Sequence, residues 1–403
     1  MRLQNPGAQF RWLLAAVLLN AAMLFGRFGM GTYGPVALTL VGLSLLACVW
    51  ALSAPVSSAG LPSDKPARRQ LQLGLAAIVV LHIGLGIATL RWVPAQRVDV
   101  YLFQQDAAAA LLHGTNPYSI THQNLYTRQS SFFYGPGVVK DGRVDFGFQY
   151  PPLSLLAILP GYLLGDLRYT YIVALLLTAA LLVRIRFNRM TLIAVALLLL
   201  SPVTFYVLSR GWTEPLVLLL LCWTCRAALR RSRWLAVALG LFFASKQYTV
   251  LAVPLAALLL PRFTWKTCLR LLAASLLCAA AVTVPFALWN FQDFWRDLVT
   301  WQLIQPFRPD ALSFSVLAAR MGLPQISQMV VIVATAAAAF WTLTRRPRMA
   351  PAFAGSWALV ILVFFCLNKQ AFVNYYFLVS GAMLLVAVMP GDAVGPFAGE
   401  SSG

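Results

Sequence analysis

The chain has 403 residues, 60% of them hydrophobic and 11% charged, with a mean hydropathy of +0.75. These values exclude an ordinary soluble domain and describe a chain that crosses a membrane many times. The net charge of +19 would suggest nucleic acid in a soluble protein, but here it follows the flanks of apolar segments, so no nucleic-acid partner is expected.

A spanning helix needs about 20 apolar residues. Twelve such segments can be marked, at 12–30, 35–53, 71–93, 167–183, 190–207, 213–229, 234–246, 249–260, 271–288, 323–343, 350–366 and 373–389. Threading them from a cytoplasmic N-terminus puts 18 Lys and Arg with three carboxylates inside, and 13 with nine carboxylates outside. The basic excess on the inner side supports that threading and places both termini in the cytoplasm.

Residues 1–70 form an accessory helical hairpin with a Pro/Ser-rich inner loop. Its first apolar run is followed by Arg27 and Phe28 in place of a small-residue cleavage site, so it reads as a span. His82, in the middle of the third span, is expected to be neutral and bonded to a neighbouring helix. The six cysteines fall in or beside spans, and Cys222 and Cys225 read as small packing residues.

The long polar interval Arg97–Pro152 holds four of the twelve carboxylates and two of the three histidines. A helix over 98–113 would set Asp99, Asp106 and His113 on one stripe, and spacing does not choose between the two carboxylates. Gly114, Thr115, Asn116 and Pro117 end that helix, and the polar connector 120–147 caps the outer face. The apolar run Pro151–Leu164, about 21 Å long as a helix and interrupted by Pro160, is too short to cross a core of about 30 Å and reads as interfacial.

Four further outer features follow: Ser209–Glu214, Ser245–Tyr248, Trp289–Asp310, and Asn368–Gln370 with Asn374–Tyr376. In the third, Phe291, Phe294, Trp295, Leu298 and Trp301 recur opposite Asp293, Arg296 and Asp297, the pattern of an amphipathic helix in the headgroup layer. Residues 390–403 read as a flexible cytoplasmic tail.

The outer face therefore collects carboxylates at Asp99, Asp106 and Glu214, and cations at Arg210, Lys246, Arg308 and Lys369. Gln149, Tyr150, Gln370, Asn374 and Tyr375 add hydrogen-bonding groups. One base plus several cations suits group transfer from a lipid phosphate: the carboxylate takes a proton from an attacking hydroxyl, and the cations stabilise charge on the leaving phosphate. No HxH or DxD pair suggests a metal, and no Gly-rich phosphate loop suggests a nucleotide donor. No cofactor is expected. A transporter or flippase of lipid-linked saccharides, and a glycan polymerase or ligase, use similar basic outer clefts.

Asp99 within VDVYLFQQDAAAALLHGTNPYS, the Gly-x-Asn-Pro-Tyr element Gly114–Tyr118 and the Tyr-Pro-Pro of Tyr150–Pro152 resemble the GT-C superfamily of membrane glycosyltransferases, and family 87 most closely. Lys246 stands at a Lys-Pro position of that family with Gln247 in place of proline, and Gly211-Trp212 stands where the family has Gly-Gln. The resemblance covers residues 71–389, with an outer catalytic loop at 94–166. It implies an all-α polytopic GT-C-like bundle of about 12 transmembrane helices, with interfacial helices on a long outer loop. It implies an inverting glycosyltransferase of the bacterial cytoplasmic membrane, acting on the periplasmic face. The implied partners are a polyprenyl-phosphate-sugar donor, with mannose or a similar sugar, a lipid or glycan acceptor, and membrane lipids. Asp99 is then the general base, and Lys246, Lys369 and Arg210 hold the donor phosphate. Asp106, Asn116, Tyr118, Gln149, Tyr150, Glu214, Gln370, Asn374 and Tyr375 bind substrate.

Overall fold

Apolar runs in a membrane must satisfy every backbone N–H and C=O internally, and this chain does so with helix after helix. The computed structural model describes residues 7–26, 29–53, 67–93, 98–126 and 133–390. The inner loop of the first hairpin and the expected tail past 390 lie outside them. Helices α1 (Gly7–Phe25), α2 (Gly34–Ser53) and α3 (Ala67–Trp92) precede α4 (Asp99–Leu112), which matches the helix expected over 98–113. A three-stranded antiparallel sheet follows, with strands β1 (His122–Gln123), β2 (Val139–Lys140) and β3 (Arg143–Val144) in the order β1-β3-β2. Helices α5 (Pro152–Leu163), α6 (Tyr169–Ile185), α7 (Arg189–Leu200), α8 (Pro202–Ser209), α9 (Glu214–Leu229) and α10 (Leu235–Phe243) then lead to two 3-10 segments, Gln247–Ala252 and Pro254–Leu259. Beyond them come α11 (Trp265–Trp289), α12 (Phe291–Trp295), a π-turn (Arg296–Thr300), α13 (Trp301–Ile304), α14 (Phe314–Arg320), α15 (Gln328–Arg345), α16 (Ala350–Leu367) and α17 (Val373–Val388).

Among the described residues, six helices are long and apolar enough to cross a membrane: α1, α2, α3, α11, α15 and α16. The pair α7–α8, bent by 42°, is together long and apolar enough for a broken span or a re-entrant loop, while α5, α6 and α17 are shorter apolar helices. The chain is an integral, polytopic, largely helical membrane protein. The bend follows from Pro202, which forces Ser201 into an extended conformation; the Ser201 hydroxyl then caps α8 through the Val203 N–H. The two spans expected at 234–246 and 249–260 take a different form. Helix α10 has nine residues, about 14 Å, and the return segment is 3-10. Pro254 lacks an N–H, and in an α-helix its ring would meet the Val250 carbonyl, so the tighter turn replaces it.

Helices α16 and α17 form the core, with Trp357, Phe353 and Tyr376 fully enclosed. Helices α1 and α2 pack onto them: Asn20 donates to the Ser380 hydroxyl at 2.7 Å, and Trp12 fills the space over Gly355. His82 donates through Nδ1 to the Leu199 carbonyl at 2.8 Å, the helix-to-helix bond expected for it. Helices α3, α11 and α15 lie outermost, presenting residues such as Val80, Leu277 and Phe340.

Helix polarity sorts the charge. Asn290, which caps the C-terminal end of α11, donates to Ser119 of the connector, and Arg168, just before α6, bonds carbonyls at the ends of α3 and α8. The ends of α3, α8, α11 and α16 therefore meet the starts of α4, α6, α9 and α17. All nine described carboxylates lie at this end. Arg184, Arg230, Arg231, Lys266, Arg270, Arg345 and Arg346 flank the opposite helix ends.

Candidate active site

Asp99 is the first residue of α4, so its carboxylate faces the positive end of a helix, and Oδ1 accepts the Val100 N–H at 2.8 Å. Burial outweighs that bond and the nearby Arg308 charge, and lifts the carboxyl above the usual carboxylate range. Tyr134 and Tyr126 lie within electrostatic reach of it. The buried Tyr134 hydroxyl lies within hydrogen-bonding reach of the Asp99 carboxylate. Tyr126 stacks on Phe133 with centroids 3.9 Å apart, and feels Arg308 and Arg210 as well as Asp99.

The cations at this end differ in how fully they are neutralised. Arg308 grips Asp310 through two bonds of 2.8 Å and lies between the rings of Phe133 and Phe372, at 4.5 and 4.9 Å. Lys246 is buried against Glu214 at 3.5 Å, donates to the Thr213 hydroxyl at 2.7 Å, and sits 3.9 Å from the centre of the Tyr150 ring. Arg210 and Lys369 have no carboxylate partner among the described residues. Arg210 lies 5.1 Å from the centre of the Tyr206 ring, and Lys369 donates to the Gln305 carbonyl.

Tyr150 and Tyr375 each lie within electrostatic reach of both Asp99 and Glu214. The Tyr248 hydroxyl donates to Glu214 Oε1 at 3.2 Å, while Glu214 Oε2 is buried without a partner. Gln149 accepts from the Trp301 indole at 3.0 Å, and its backbone carbonyl accepts from Gln247 at 2.6 Å and Gln302 at 3.3 Å. Lys246, Glu214, Tyr248, Tyr150, Gln149 and Tyr375 are thus one assembly, with Tyr150 and Tyr375 within electrostatic reach of Asp99.

The remaining candidates stand apart. Asp106 pairs with the buried His122 at 2.9 Å, two helical turns from Asp99, and His113 is exposed at the end of α4. Asn116 accepts the Tyr118 N–H at 3.0 Å, and the Tyr118 hydroxyl donates to the Tyr150 carbonyl at 2.7 Å within a cluster of Phe148, Phe286 and Phe294. These two shape the loop beneath Tyr150. Gln370 donates to the Pro306 carbonyl at 2.9 Å, and Asn374 is buried with its side-chain oxygen unpartnered. No cluster of three potential metal ligands occurs among the described residues.

The helix expected over 291–305 as a simple amphipathic rod is broken by the π-turn, and one carboxylate of its polar side is turned inward. Asp297 is fully buried; it accepts the Gly147 N–H and the Arg296 Nε–H, each at 2.7 Å. A side chain at Gly147 would collide with the Tyr118 carbonyl and Asp297, so glycine is required there. Asp297, Trp301 and Gln302 together fasten the segment 147–150 that carries Tyr150, while Phe291, Trp295, Leu303 and Ile304 remain exposed. Sequence pattern gave no signal for this clamp, because a buried carboxylate and a solvated one share the same spacing.

Burial raises the Asp297 carboxyl to about 6, against the opposing Arg296 charge. The folded state then holds the proton more tightly than the unfolded chain, whose carboxyl titrates near 3.9. That contribution is full below about 3.9 and lost as pH rises through 6. Lowering pH from 7 to 5 is expected to stabilise the wild type relative to Asp297→Asn by roughly 1 kcal/mol, read as a widening difference in Tm in nanodiscs.

The model of glycosyltransferase family 87 matches residues 148–368, more than half of the chain and including Gln149, Tyr150, Arg210, Glu214, Lys246 and Arg308. No curated protein matches. Two crystal structures of ArnT from Cupriavidus metallidurans are similar in fold. The one bound to undecaprenyl phosphate is 19% identical with a TM-score of 0.48, over 77% of this chain and 59% of that one. The apo structure is 15% identical with a TM-score of 0.45, over 78% and 59%. This chain therefore spans less than two thirds of the length of those proteins. By the extent of the family match, the chain belongs to glycosyltransferase family 87.

Proposed function

We propose that the protein moves a sugar from a polyprenyl-phosphate donor to a hydroxyl of a lipid or cell-envelope glycan, with inversion at the anomeric carbon. The observation that carries this reading is Asp99: a half-buried carboxylate with a raised pKa, within reach of Arg308, Tyr126 and Tyr134. A carboxyl lifted towards working pH is a better general base than a solvated one. Asp99 takes the proton of the acceptor hydroxyl as its oxygen attacks the anomeric carbon. The bond from that carbon to the phosphate oxygen breaks, and the lipid phosphate leaves.

Arg210 and Lys369, two cations without carboxylate partners among the described residues, hold that phosphate. Lys246, committed to Glu214, keeps Tyr150 and Glu214 in place to line the sugar pocket with Gln149, Asn374 and Tyr375; Asp106, Asn116, Tyr118 and Gln370 support the acceptor side. The exposed apolar side of 291–304 lines lipid access. The basic opposite end supports a cytoplasmic placement of those helix ends and an outer placement of the site. A mannose-like hexose follows from the family resemblance.

The test is a nanodisc assay with short-chain polyprenyl-phosphate sugars and, in parallel, nucleotide sugars. Release of polyprenyl phosphate in step with sugar transferred is expected from the lipid donors alone. Translocation of an intact lipid-linked saccharide without release would make the protein a transporter.

A further inference from the structure

We propose that Arg168 and Gln104 are positioning residues that hold Asp99 and Arg210 in one rigid frame. The proposal rests on the roles given above to those two groups. Arg168 is fully buried between α5 and α6. Its guanidinium grips Asp166, with Nε 3.0 Å from both carboxylate oxygens and Nη2 2.6 Å from Oδ2. Its other hydrogens reach the Leu90 carbonyl at 3.0 Å, the Val93 carbonyl at 3.1 Å and the Ser209 carbonyl at 3.3 Å. One side chain thus ties the last turn of α3 to the last turn of α8.

The same guanidinium lies 5.5 Å from the centre of the ring of Tyr101, two residues beyond Asp99 in α4. On another side that ring meets the backbone of Gly211, where an added Cβ would come within 2.9 Å of Tyr101 Cδ2. Gly211 adopts φ +64°, so both its conformation and its lack of a side chain give Tyr101 room. One turn along α4, the buried Gln104 donates to the Gly211 carbonyl at 2.7 Å and accepts the Tyr171 hydroxyl. The residues on both sides of Arg210 are therefore held, Ser209 by Arg168 and Gly211 by Gln104. The helix that begins with Asp99 is held by the same two side chains, which fixes the spacing between the base and a phosphate-binding cation. Misplacing reacting groups by about 1 Å costs on the order of 100-fold in rate.

The variant pair Gln104→Leu with Tyr171→Phe removes the link and both side-chain partners while keeping their bulk. It is expected to lower kcat 10–100-fold and to raise the Kd of farnesyl phosphate several-fold, with unchanged yield of folded protein. If Gln104 acts through Asp99, adding the pair to Asp99→Asn lowers the rate no further. If it acts through Arg210, adding the pair to Arg210→Gln raises the farnesyl phosphate Kd no further. Arg168→Lys, which keeps the charge but not the fork, is expected to shift both readouts in the same direction; should it fail to fold, the Gln104 pair decides. Wild-type kcat and Kd in the folded pair, or effects additive with Asp99→Asn and Arg210→Gln, would overturn the frame. A wild type that transfers no sugar would sink the functional reading and leave the Kd cycle to judge the frame. Absence of farnesyl phosphate binding by the wild type would overturn both.

Discussion

Asp99→Asn is expected to lower kcat for sugar transfer by about 10³-fold, with little change in the KM for donor. General-base catalysis contributes roughly 10²–10⁴-fold, and asparagine keeps the shape and the bond to the Val100 N–H while losing the basic lone pair. Asp106→Asn is expected to stay within a few-fold of wild type. Its carboxylate is held by His122 and lies about 10 Å along the helix axis from Asp99. The pH profile carries the same signature. Activity requires ionised Asp99, so kcat/KM should rise with pH through a midpoint above the usual carboxylate range. Arg308 opposes the upward shift, so Arg308→Gln should move that midpoint to higher pH. A profile flat through that limb, or an unmoved midpoint, would separate Arg308 from the base.

The second large effect is expected in stability. Lys246 and Glu214 are both buried, and removing one member of a buried pair leaves the other charge uncompensated, at a cost of about 3–5 kcal/mol. Lys246→Met should therefore lower Tm sharply in nanodiscs, and Glu214→Gln should do the same. The double variant Lys246→Met with Glu214→Gln should recover much of the loss, because no net charge then remains buried. It should recover little activity, since Tyr150 loses the ammonium against its ring and the sugar pocket loses a carboxylate. Additive losses in the double variant would mean that the two side chains act independently.

Much of this was legible in the sequence for physical reasons. Apolar length marked the spans, and the Gly-Thr-Asn-Pro run after α4 marked its end. The charge asymmetry along the bundle was readable because basic loops cluster in sequence as they do in space. The family resemblance offered Asp99, Tyr150 and Lys246 as candidates, of which Tyr150 and Lys246 fall within the matched residues 148–368. What sequence did not reveal depends on pairing across long separations. Asp297 reads as the polar side of an amphipathic helix, yet it is buried against Gly147, 150 residues away. Arg168 falls at the edge of the apolar segment 167–183 with no motif around it, yet it bonds carbonyls of two distant helices. Arg308 carried no motif, and only the return of 305–312 against Lys369 and Ala371 brings it to Asp99. The 3-10 return after Lys246 was hidden because hydropathy measures apolar length and is blind to the local effect of Pro254.

The central claim is a single displacement driven by one carboxylate, and the configuration of the product tests it most directly. Wild-type protein in nanodiscs would be given one polyprenyl-phosphate hexose of defined anomeric configuration and an acceptor, and the new glycosidic bond read by proton NMR. The inverted anomer, formed in equal amount with polyprenyl phosphate and lost in Asp99→Asn, is the predicted result. A retained anomer would contradict it, because retention requires a second, nucleophilic step that Asp99 acting as a base does not provide.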